Sequence, residues 1–302
     1  MAVRFYYRPK LRNPVMFVGW PGIGNIGILA VNALREILKA EEFGKIEGFP
    51  FFYPRRVVIE EGLLKGLDFP KSRFYVQTLE DREVLLFIGE EQPSREGRFY
   101  ATGEKAYQMA NLVLEVALEL GCRRVYTSGA CVSLTHHQMR PRVCAVATSE
   151  RLIEEIRTLS NTVLMSELSD RSEGEGVITG LNGLLLGVAK SRGVEGACLM
   201  GEIPDWLSGA SFPYPKASRS VLEVFAQILG TAFDLHFLDP LERQVEEIIE
   251  GFYAKFPPPL REEYDRRKSL AQGRSGPITI QAQIYIDEQY RKGGEEGGEG
   301  PI

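Results

Sequence analysis

The sequence predicts an α/β fold, a three-layer sandwich in which a mostly parallel sheet lies between two layers of helices. Three features of the 302 residues predict it: strand-like runs that are apolar almost without interruption, helical runs that alternate with them, and glycine-rich turns between the two. Parallel strands covered on both faces read as continuous apolar runs, whereas half-exposed strands alternate apolar and polar residues. The hydrophobic content of 44% is that of an ordinary globular domain.

The first half of the chain opens its α/β pattern with a strand–turn–helix unit. VMFVGW is the strand, PGIGNIG the turn and ILAVNALREILK the helix. The FPFFYPRRVVI run supplies the next strand, while Glu41, Glu42 and Glu47 fall in a charged, glycine-interrupted loop. RFYVQT and EVLLFIGE, joined by a polar turn, predict a hairpin. Apolar residues at three- and four-residue spacing then predict a helix over 103–120.

The second half continues the alternation. RRVYTSG and VCAVAT are predicted strands, and Ser149 is a candidate N-cap for the helix that follows. NTVLMSEL and GACLMGEI are further strands on either side of the helix GLLLGVAKSR. PKASRSVLEVFAQILG predicts a helix that ends at Gly230, and the α/β pattern stops near Leu238. We therefore assign residues 1–238 to one α/β domain.

Two segments follow that domain. Residues 239–270 predict a helical extension, which opens with Asp239 as N-cap, Pro240 at the first helical position and Glu242 completing a capping box. The apolar stripe expected to be buried along its first helix consists of Leu241, Val245, Ile248, Ile249 and Phe252. Residues 271–302 are rich in glycine and glutamate, and a segment of this composition is expected to be a mobile, disordered tail.

Charge and cysteine usage exclude several classes of function. The net charge of −5 and the absence of a basic cluster argue against a nucleic-acid partner, because phosphate backbones are bound through concentrated lysine and arginine. No apolar run reaches the roughly 20 residues of a membrane-spanning helix, and the N-terminus lacks the apolar core of a signal peptide. Four dispersed cysteines are typical of buried free thiols, which places the protein in the cytoplasm.

The sharpest local motif is the GxGxxG of Gly22, Gly24 and Gly27, which stands between a strand and a helix. Glycines at this position let a backbone and a helix N-terminus approach a phosphate, as in dinucleotide-binding turns. They equally allow a tight turn and close packing of helix on sheet. No acidic residue follows at the end of a clear second strand to hold a ribose, so both interpretations stay open.

Further glycine-rich points follow other predicted strands, and the carboxyl ends of strands in an open α/β sheet gather on one edge, where ligands bind. The sequence therefore predicts a ligand crevice lined by Gly22, Gly24, Asn25, Gly27, Gly129, Cys131, His137, Asn182, Gly183 and Glu202.

Few of the residues predicted to line this crevice could act as a catalytic nucleophile, acid or base. Cys131 with His137, as nucleophile and base, is the best enzymatic hypothesis, and the alternative is a core thiol beside a loop histidine. The adjacent His136 and His137 do not form any spacing typical of a zinc site, and the chain has no CxxC pair. We therefore predict no catalytic residue, no cofactor and no metal, and we favour protein binding over catalysis.

Five blocks, GWPGIGNIGILA, IGEEQPSREGRFY, VYTSGACVSLTHHQMRPRVCAVAT, ITGLNGLLLGVAKSRG and PYPKASRSVLEVFAQILG, together resemble the proteasome assembly chaperone family, second type. The resemblance runs from about Pro14 to Leu238. It implies a domain akin to the nucleoside phosphorylase and hydrolase fold, homo-oligomer formation and binding to other proteins, which in some members are proteasome subunits. Some relatives are labelled ATP-grasp ligases, but no glycine-rich loop here is followed by a phosphate-binding lysine.

One departure concerns the C-terminus. Certain archaeal members of the family end in a hydrophobic-Tyr-X tail that docks on the proteasome ring, whereas this sequence ends Gly-Pro-Ile and has its nearest equivalent at Ile284, Tyr285 and Ile286. The sequence thus predicts a homo-oligomeric, non-catalytic assembly chaperone or scaffold that binds a protein partner. Proteasome subunits are one candidate for that partner. The alternative is an enzyme, phosphorylase- or hydrolase-like or an ATP-grasp-type ligase, that binds a nucleotide or a phosphorylated metabolite.

Overall fold

The computed structural model of the chain describes residues 2–49, 51–80, 82–94, 101, 103–168 and 176–272. Residues Met1–Lys268 form one compact unit, and Ser269–Ile302 form a second, of which only 269–272, the end of a helix, are described. The predicted mobile tail and the segment Ile284–Ile286 lie outside the described residues. None of the helices in the described ranges is long and apolar enough to cross a membrane.

Eleven strands are found in the described residues: β1 (Val3–Phe5), β2 (Val15–Gly19), β3 (Glu41–Ile46), β4 (Arg56–Glu60), β5 (Leu63–Asp68), β6 (Ser72–Leu79), β7 (Arg82–Gly89), β8 (Arg124–Ser133), β9 (Val143–Ala147), β10 (Thr162–Leu164) and β11 (Glu195–Pro204). Nine of them form one sheet in the order β1–β3–β6–β7–β2–β8–β11–β9–β10, and β4 and β5 form a separate hairpin. The central strands β7, β2, β8 and β11 run parallel. The prediction of a mostly parallel central sheet is confirmed, and the antiparallel pairs lie toward its two sides.

Seven helices are found in the described residues: α1 (Ile26–Leu38), α2 (Glu104–Glu119), α3 (Glu150–Arg157), α4 (Gly180–Ser191), α5 (Pro215–Leu229), α6 (Asp239–Tyr253) and α7 (Pro258–Gln272). Phe17 of β2 packs in one core with α1, α3, α5 and α6. Its neighbours Met16 and Val18 pack in a second core with α2 and α4. Successive side chains of a strand point to opposite faces, so the sheet is covered by helices on both sides and its central strands are apolar throughout.

Several predicted elements are confirmed in detail. The strands β6 and β7 form the expected antiparallel hairpin. The Ser149 hydroxyl accepts a hydrogen bond from the Leu152 amide and caps α3. Gly230 adopts a left-handed conformation, with φ of 69°, and ends α5. These signals are local in sequence, which is why each could be identified without knowledge of the fold.

The strand after α1 was predicted in the wrong place. Glu41–Ile46, predicted to lie in a charged loop, is β3, which pairs with β6 and has a register shift between Glu42 and Gly44. The FPFFYPRRVVI run instead contributes a turn and then β4, in the separate hairpin. Because β3 is not a neighbour of β2, this half of the sheet does not have the strand order of a dinucleotide-binding unit.

The start of α6 also differs from the prediction. The helix begins at Asp239 itself, and the residue before it, Leu238, makes no side-chain cap. The carboxylate of Asp239 is bound by Arg219 and by His236, so it is not available to cap the helix. The buried face of α6 consists of Val245, Ile249 and Tyr253, whereas Ile248 and Phe252, which were expected in the buried stripe, are exposed.

Candidate functional site

The GxGxxG turn is shaped by packing against the segment that precedes α5. Gly22 is extended, whereas Gly24 and Asn25 have φ of 58° and 49°, in the left-handed region. The Tyr214 amide donates a 2.8 Å hydrogen bond to the Gly24 carbonyl. A Cβ atom on Gly24 would lie 3.0 Å from the Cβ of Tyr214 and 3.2 Å from Ile203. The middle glycine is therefore required by its backbone conformation and by these two neighbours.

The third glycine of the motif lies where α1 crosses the sheet. A Cβ atom on Gly27 would approach the carbonyl carbon and oxygen of Ser128 in β8 to well under 3.0 Å, the distance that real Cβ contacts keep. This glycine lets the helix backbone touch the strand backbone. Of the two interpretations left open by the sequence, the structural one accounts for both glycines without any ligand: a tight turn for Gly24 and close helix–sheet packing for Gly27.

A second group of crevice residues surrounds the start of α4. A Cβ atom on Gly129 would lie 3.3 Å from Nδ2 of Asn182, and one on Gly183 would collide with the carbonyl of Ile178. The Oδ1 atom of Asn182 is buried and has no hydrogen-bond partner among the described residues. These glycines are thus positions of close packing between α4, β8 and the segment before α4.

Gln92 joins the two glycine-rich turns, a role that the sequence did not reveal. Its Nε2 donates to the Pro21 carbonyl at 2.6 Å, and its Oε1 accepts from the Leu181 amide at 2.9 Å. One side-chain amide therefore ties the turn after β2 to the first turn of α4. A lone glutamine in the loop after β7 carries no pattern in the sequence that would single it out.

Two of the predicted strand-end residues lie inside strands. Cys131 and Glu202 are register partners within β8 and β11, which each extend two residues further. The Glu202 carboxylate, 1% exposed, accepts bonds of 2.8 and 2.7 Å from the Arg142 guanidinium, 3.0 Å from its amide and 3.1 Å from Ser133. All of these bonds hold the carboxylate in a buried ion pair, and that arrangement is typical of a structural group.

Cys131 and His137 do not come together as a nucleophile and base. Cys131 packs in a buried cluster with Cys144, Cys198 and methionine side chains. A hydrogen bond with Cys131, together with burial, raises the pKa of the Cys144 thiol far above its usual range, and burial raises that of Cys198 to about 12. His137 instead bonds Glu250 of α6 through Nε2 at 3.1 Å. These contacts do not support the pair as nucleophile and base, because Cys131 packs in an apolar cluster and His137 is bound by Glu250.

The histidine pair anchors the C-terminal helices. Nδ1 of His136 accepts from the Gln138 amide at 3.1 Å, which leaves Nε2 to carry the proton toward the Tyr253 hydroxyl at 3.3 Å and Asp265 at 3.4 Å. Burial, followed by the neighbouring His137, lowers the pKa of His136 to about 4. Burial also lowers the pKa of His137 from its ordinary value of 6.5. Both imidazoles are therefore neutral near pH 7.

Aromatic side chains surround this pair. Trp206 packs on His137, Tyr253, Phe256 and Tyr264, with ring centroids between 5.0 and 6.5 Å apart. The Tyr253 hydroxyl bonds the Arg261 carbonyl and Asp265, at 3.1 and 3.0 Å. α6 and the described start of α7 are thus seated on the body by a desolvated cluster, not by surface charge alone.

A cavity of about 630 Å³ opens beside this cluster, lined in part by His137, Tyr214, Lys216, Arg243 and Glu246. Lys216 pairs with Glu246 at 3.0 Å, so one of the cations that line the cavity is already neutralised. The cavity carries charges of both signs, which suits a polar contact surface better than the binding of one small anion.

A second cavity, of about 700 Å³, is lined in part by Arg82, Arg124 and Arg151. Arg124 binds Glu155 at 2.6 Å and Glu195 at 2.8 Å, and Arg151 binds Glu195 at 2.6 Å. The two bonds to Glu195, led by that from Arg151, lower the pKa of Glu195 to about 2. Because carboxylates occupy two of the three guanidinium groups, this cavity is not arranged as a phosphate site.

The β4–β5 hairpin carries five of the fifteen exposed large hydrophobic side chains in the described part of the chain. Five large aliphatic side chains on it are exposed: Val57, Ile59, Leu63, Leu64 and Leu67. By contrast, the segment before α5 exposes neither of its aromatic rings fully, because Phe212 is half-buried and Tyr214 is buried. Within the described residues, no group of three or more histidine, cysteine, aspartate or glutamate side chains is placed to hold a metal ion.

The model of the PAC2 family matches residues 16–252, which is most of the chain and includes the glycine turns, the buried Glu202 and α6. The chain belongs to the PAC2 family. This confirms the resemblance to the second type of proteasome assembly chaperone that the five sequence blocks suggested. The family match extends past Leu238 into α6.

Solved structures of other proteins share the fold. The crystal structure of Pyrococcus furiosus PbaB, an archaeal proteasome activator, is 30% identical with a TM-score of 0.68, over 83% of this chain and 97% of PbaB. The proteasome-assembly chaperone homologue of Mycobacterium tuberculosis is 19% identical with a TM-score of 0.63, over 83% of this chain and 99% of that one. An uncharacterised protein of Methanocaldococcus jannaschii is 26% identical over 240 residues, 80% of this chain and 83% of that protein.

Proposed function

We propose that this PAC2 protein is a non-catalytic, protein-binding assembly chaperone or scaffold whose partners are proteasome subunits, and that it works as a homo-oligomer in the cytoplasm. The observation that carries the proposal is the similarity to PbaB, an archaeal proteasome activator, along nearly the whole length of PbaB. At 30% identity this similarity includes sequence as well as fold.

The geometry of the predicted crevice supports the same proposal. Gly24 and Gly27 pack closely against neighbouring residues, which leaves no space for a ligand at these positions. Glu202 is paired with Arg142, and His137 is bonded to Glu250. The paired acid and base that hydrolysis or phosphoryl transfer needs is not formed by these residues. The fold's likeness to nucleoside phosphorylases and hydrolases remains a prediction, and neither the comparisons nor the described crevice support a nucleotide-binding enzyme.

The exposed hairpin supports self-association, since contiguous apolar patches on a protein surface mark sites of protein contact. In this proposal residues 1–238 form the α/β domain, and residues 239–270 and 271–302 add contacts to the partner.

The test mixes the purified full-length chain with free α- and β-subunits and with the assembled core particle of the proteasome from the same organism. Light scattering after size exclusion measures complex formation, and a fluorogenic peptide measures core-particle assembly and activity. We expect a complex with subunits or core particle at micromolar concentration and a change in assembly rate or peptidase activity. The proposal is refuted if no complex forms and no rate changes at 100 micromolar, which is roughly 100 times a micromolar dissociation constant.

A further inference from the structure

The β4–β5 hairpin is set apart from the main sheet. In the sequence it lies between β3 and β6, but it forms its own two-stranded sheet. Its turn consists of Glu61 and Gly62, with φ of 51° and 77°. A two-residue turn with positive φ at both positions matches the natural twist of a hairpin, so the two strands are locally well specified. Among the described residues, β4 has β5 on one edge and no strand on the other.

One face of the hairpin is apolar and uncovered. Val57 lies opposite Leu67 and Ile59 opposite Leu64, and the register shifts between Val58 and Ile59, where Lys65 is an extra residue on β5. The residues of β4 stay consecutive across the shift, so the four side chains share a face. They are 52, 55, 64 and 66% exposed, respectively. A hairpin of two strands is at best marginally stable in water, and three or more strands with an apolar face are needed for independent stability. Additional strands would therefore stabilise this element.

The sequence of β4 is self-complementary. It has a cation at one end, Arg56, an anion at the other, Glu60, and β-branched Val57, Val58 and Ile59 between them. An antiparallel copy centred on Val58 sets each Arg56 opposite a Glu60 and each Val57 opposite an Ile59. Opposite charges and β-branched pairs are favourable cross-strand neighbours. A two-fold interface requires this kind of self-complementarity, because the same surface is used by both copies.

The other strand lacks this property. Reversing β5 sets Leu63 opposite Asp68 and Leu64 opposite Leu67, so an aliphatic side chain would face a carboxylate. Self-pairing through β4 is therefore favoured over self-pairing through β5.

We propose that β4 pairs antiparallel with β4 of a second copy of this chain, which joins two hairpins into one four-stranded sheet. The pairing satisfies the free edge of β4 and sets the apolar faces of the two hairpins side by side. The inference rests on the self-association in the proposed function and deepens it by naming the surface. It does not depend on which client the protein binds.

A charge exchange tests the register. In the single variants Arg56→Glu and Glu60→Arg, like charges meet at both symmetric positions of the dimer. We expect each to raise the dimer dissociation constant about tenfold, equivalent to about 1.4 kcal/mol. The double variant restores opposite charges across the dimer and should return the dissociation constant to near the wild-type value. Sedimentation equilibrium of the full chain over a range of concentrations measures all four proteins.

The double variant also separates contacts between chains from contacts within the hairpin. Arg56 pairs with Asp68 at 3.0 Å, and Lys65 lies 4.0 Å from Glu60. The exchange makes both of these internal pairs like-charged. If internal repulsion caused the effect, the double variant would be worse than either single one. That result, or unchanged association in all three variants, would overturn the proposed register.

A matched pair of substitutions tests the surface. Ile59→Lys should leave the chain monomeric at concentrations where the wild type associates, because lysine on an edge strand opposes pairing. Val177→Lys changes an exposed aliphatic residue outside the hairpin and should leave association unchanged. Far-ultraviolet circular dichroism checks that both variants are folded.

The remaining outcomes separate this inference from the proposed function. A wild-type chain that is monomeric throughout refutes self-association, while the proteasome-binding assay still decides the client. An Ile59→Lys variant that keeps its oligomer but loses the complex with proteasome subunits would assign the hairpin to the client and overturn the inference. Equal loss of association in Val177→Lys would show that the effect is not specific to β4.

Discussion

Replacing Gly27 with alanine tests whether the GxGxxG turn is a packing device. The new methyl group would overlap the Ser128 carbonyl and lie 3.0 Å from the Gly129 amide, so α1 must withdraw from β8 by about 1 Å to restore ordinary contact. A gap of that size forfeits a quarter to a half of the dispersion contact energy along the buried face of α1, which includes Ile26, Val31 and Leu34.

The magnitude follows from these side chains. Full burial of each contributes about 1.5–3 kcal/mol, so losing a quarter to a half of the contacts of all three costs about 1–4 kcal/mol, with a midpoint near 3 kcal/mol. Alanine recovers at most about 1 kcal/mol through its higher helix propensity. The expected net loss is about 2 kcal/mol in the free energy of unfolding. Urea denaturation measures it as a lower midpoint with an unchanged slope.

The control is Gly22→Ala in the same motif. Gly22 is extended and a Cβ atom there meets nothing within 4 Å, so this variant should be within about 0.5 kcal/mol of the wild type. If Gly27→Ala is as stable as the wild type, or if both variants lose the same stability, the packing explanation is refuted. A ligand site would instead show lost nucleotide binding in a fully stable Gly22→Ala protein.

Three further predictions concern the buried polar groups. Glu202→Gln should destabilise the fold by about 3 kcal/mol in urea denaturation, because it breaks a buried charge pair, whereas Glu119→Gln in an exposed pair should cost less than about 1 kcal/mol. The pKa of His136 is lower in the folded chain, about 4, than its ordinary value of 6.5, so the unfolded chain binds the extra proton. Stability should therefore fall, by at most about 1.4 kcal/mol per pH unit, as the pH drops from about 6.5 to about 4, and His136→Gln should flatten this dependence; a slope unchanged in the variant contradicts the assignment. Tyr253→Phe removes the hydroxyl that bonds Asp265, and hydrogen exchange should accelerate in α7 while the sheet stays protected; equal acceleration in both would show global destabilisation instead.

The parts of the fold that the sequence predicted are those with local causes. The continuous apolar strands, the cap at Ser149 and the stop at Gly230 each depend on a few neighbouring residues. β3 was missed because Glu41 and Glu42 obscure its alternation and a bulge interrupts it before Gly44. The VVI run of β4 was assigned to the main sheet because apolar residues usually indicate burial, whereas here Val57 and Ile59 are exposed.

The candidate site was less predictable because its contacts join distant parts of the chain. The prediction of a crevice at the ends of the strands assumed that β8 ended before Cys131, but the strand continues to Ser133. The partner of His137 is Glu250, more than a hundred residues away, and no spacing in the sequence indicates that contact. The same holds for Asp239, whose expected capping role is lost to Arg219, a residue on another helix.

The placement of the two tryptophans of the chain has a practical consequence. Trp20 lies in the core beside Phe87, with ring centroids 5.2 Å apart. Trp206 lies among Tyr253, Phe256 and Tyr264, where α6 and the first turns of α7 meet the body. Indole emission shifts to longer wavelength when water reaches the ring. A chain that keeps Trp206 alone therefore reports optically when its C-terminal helices detach, independently of the melting of the interior around Trp20.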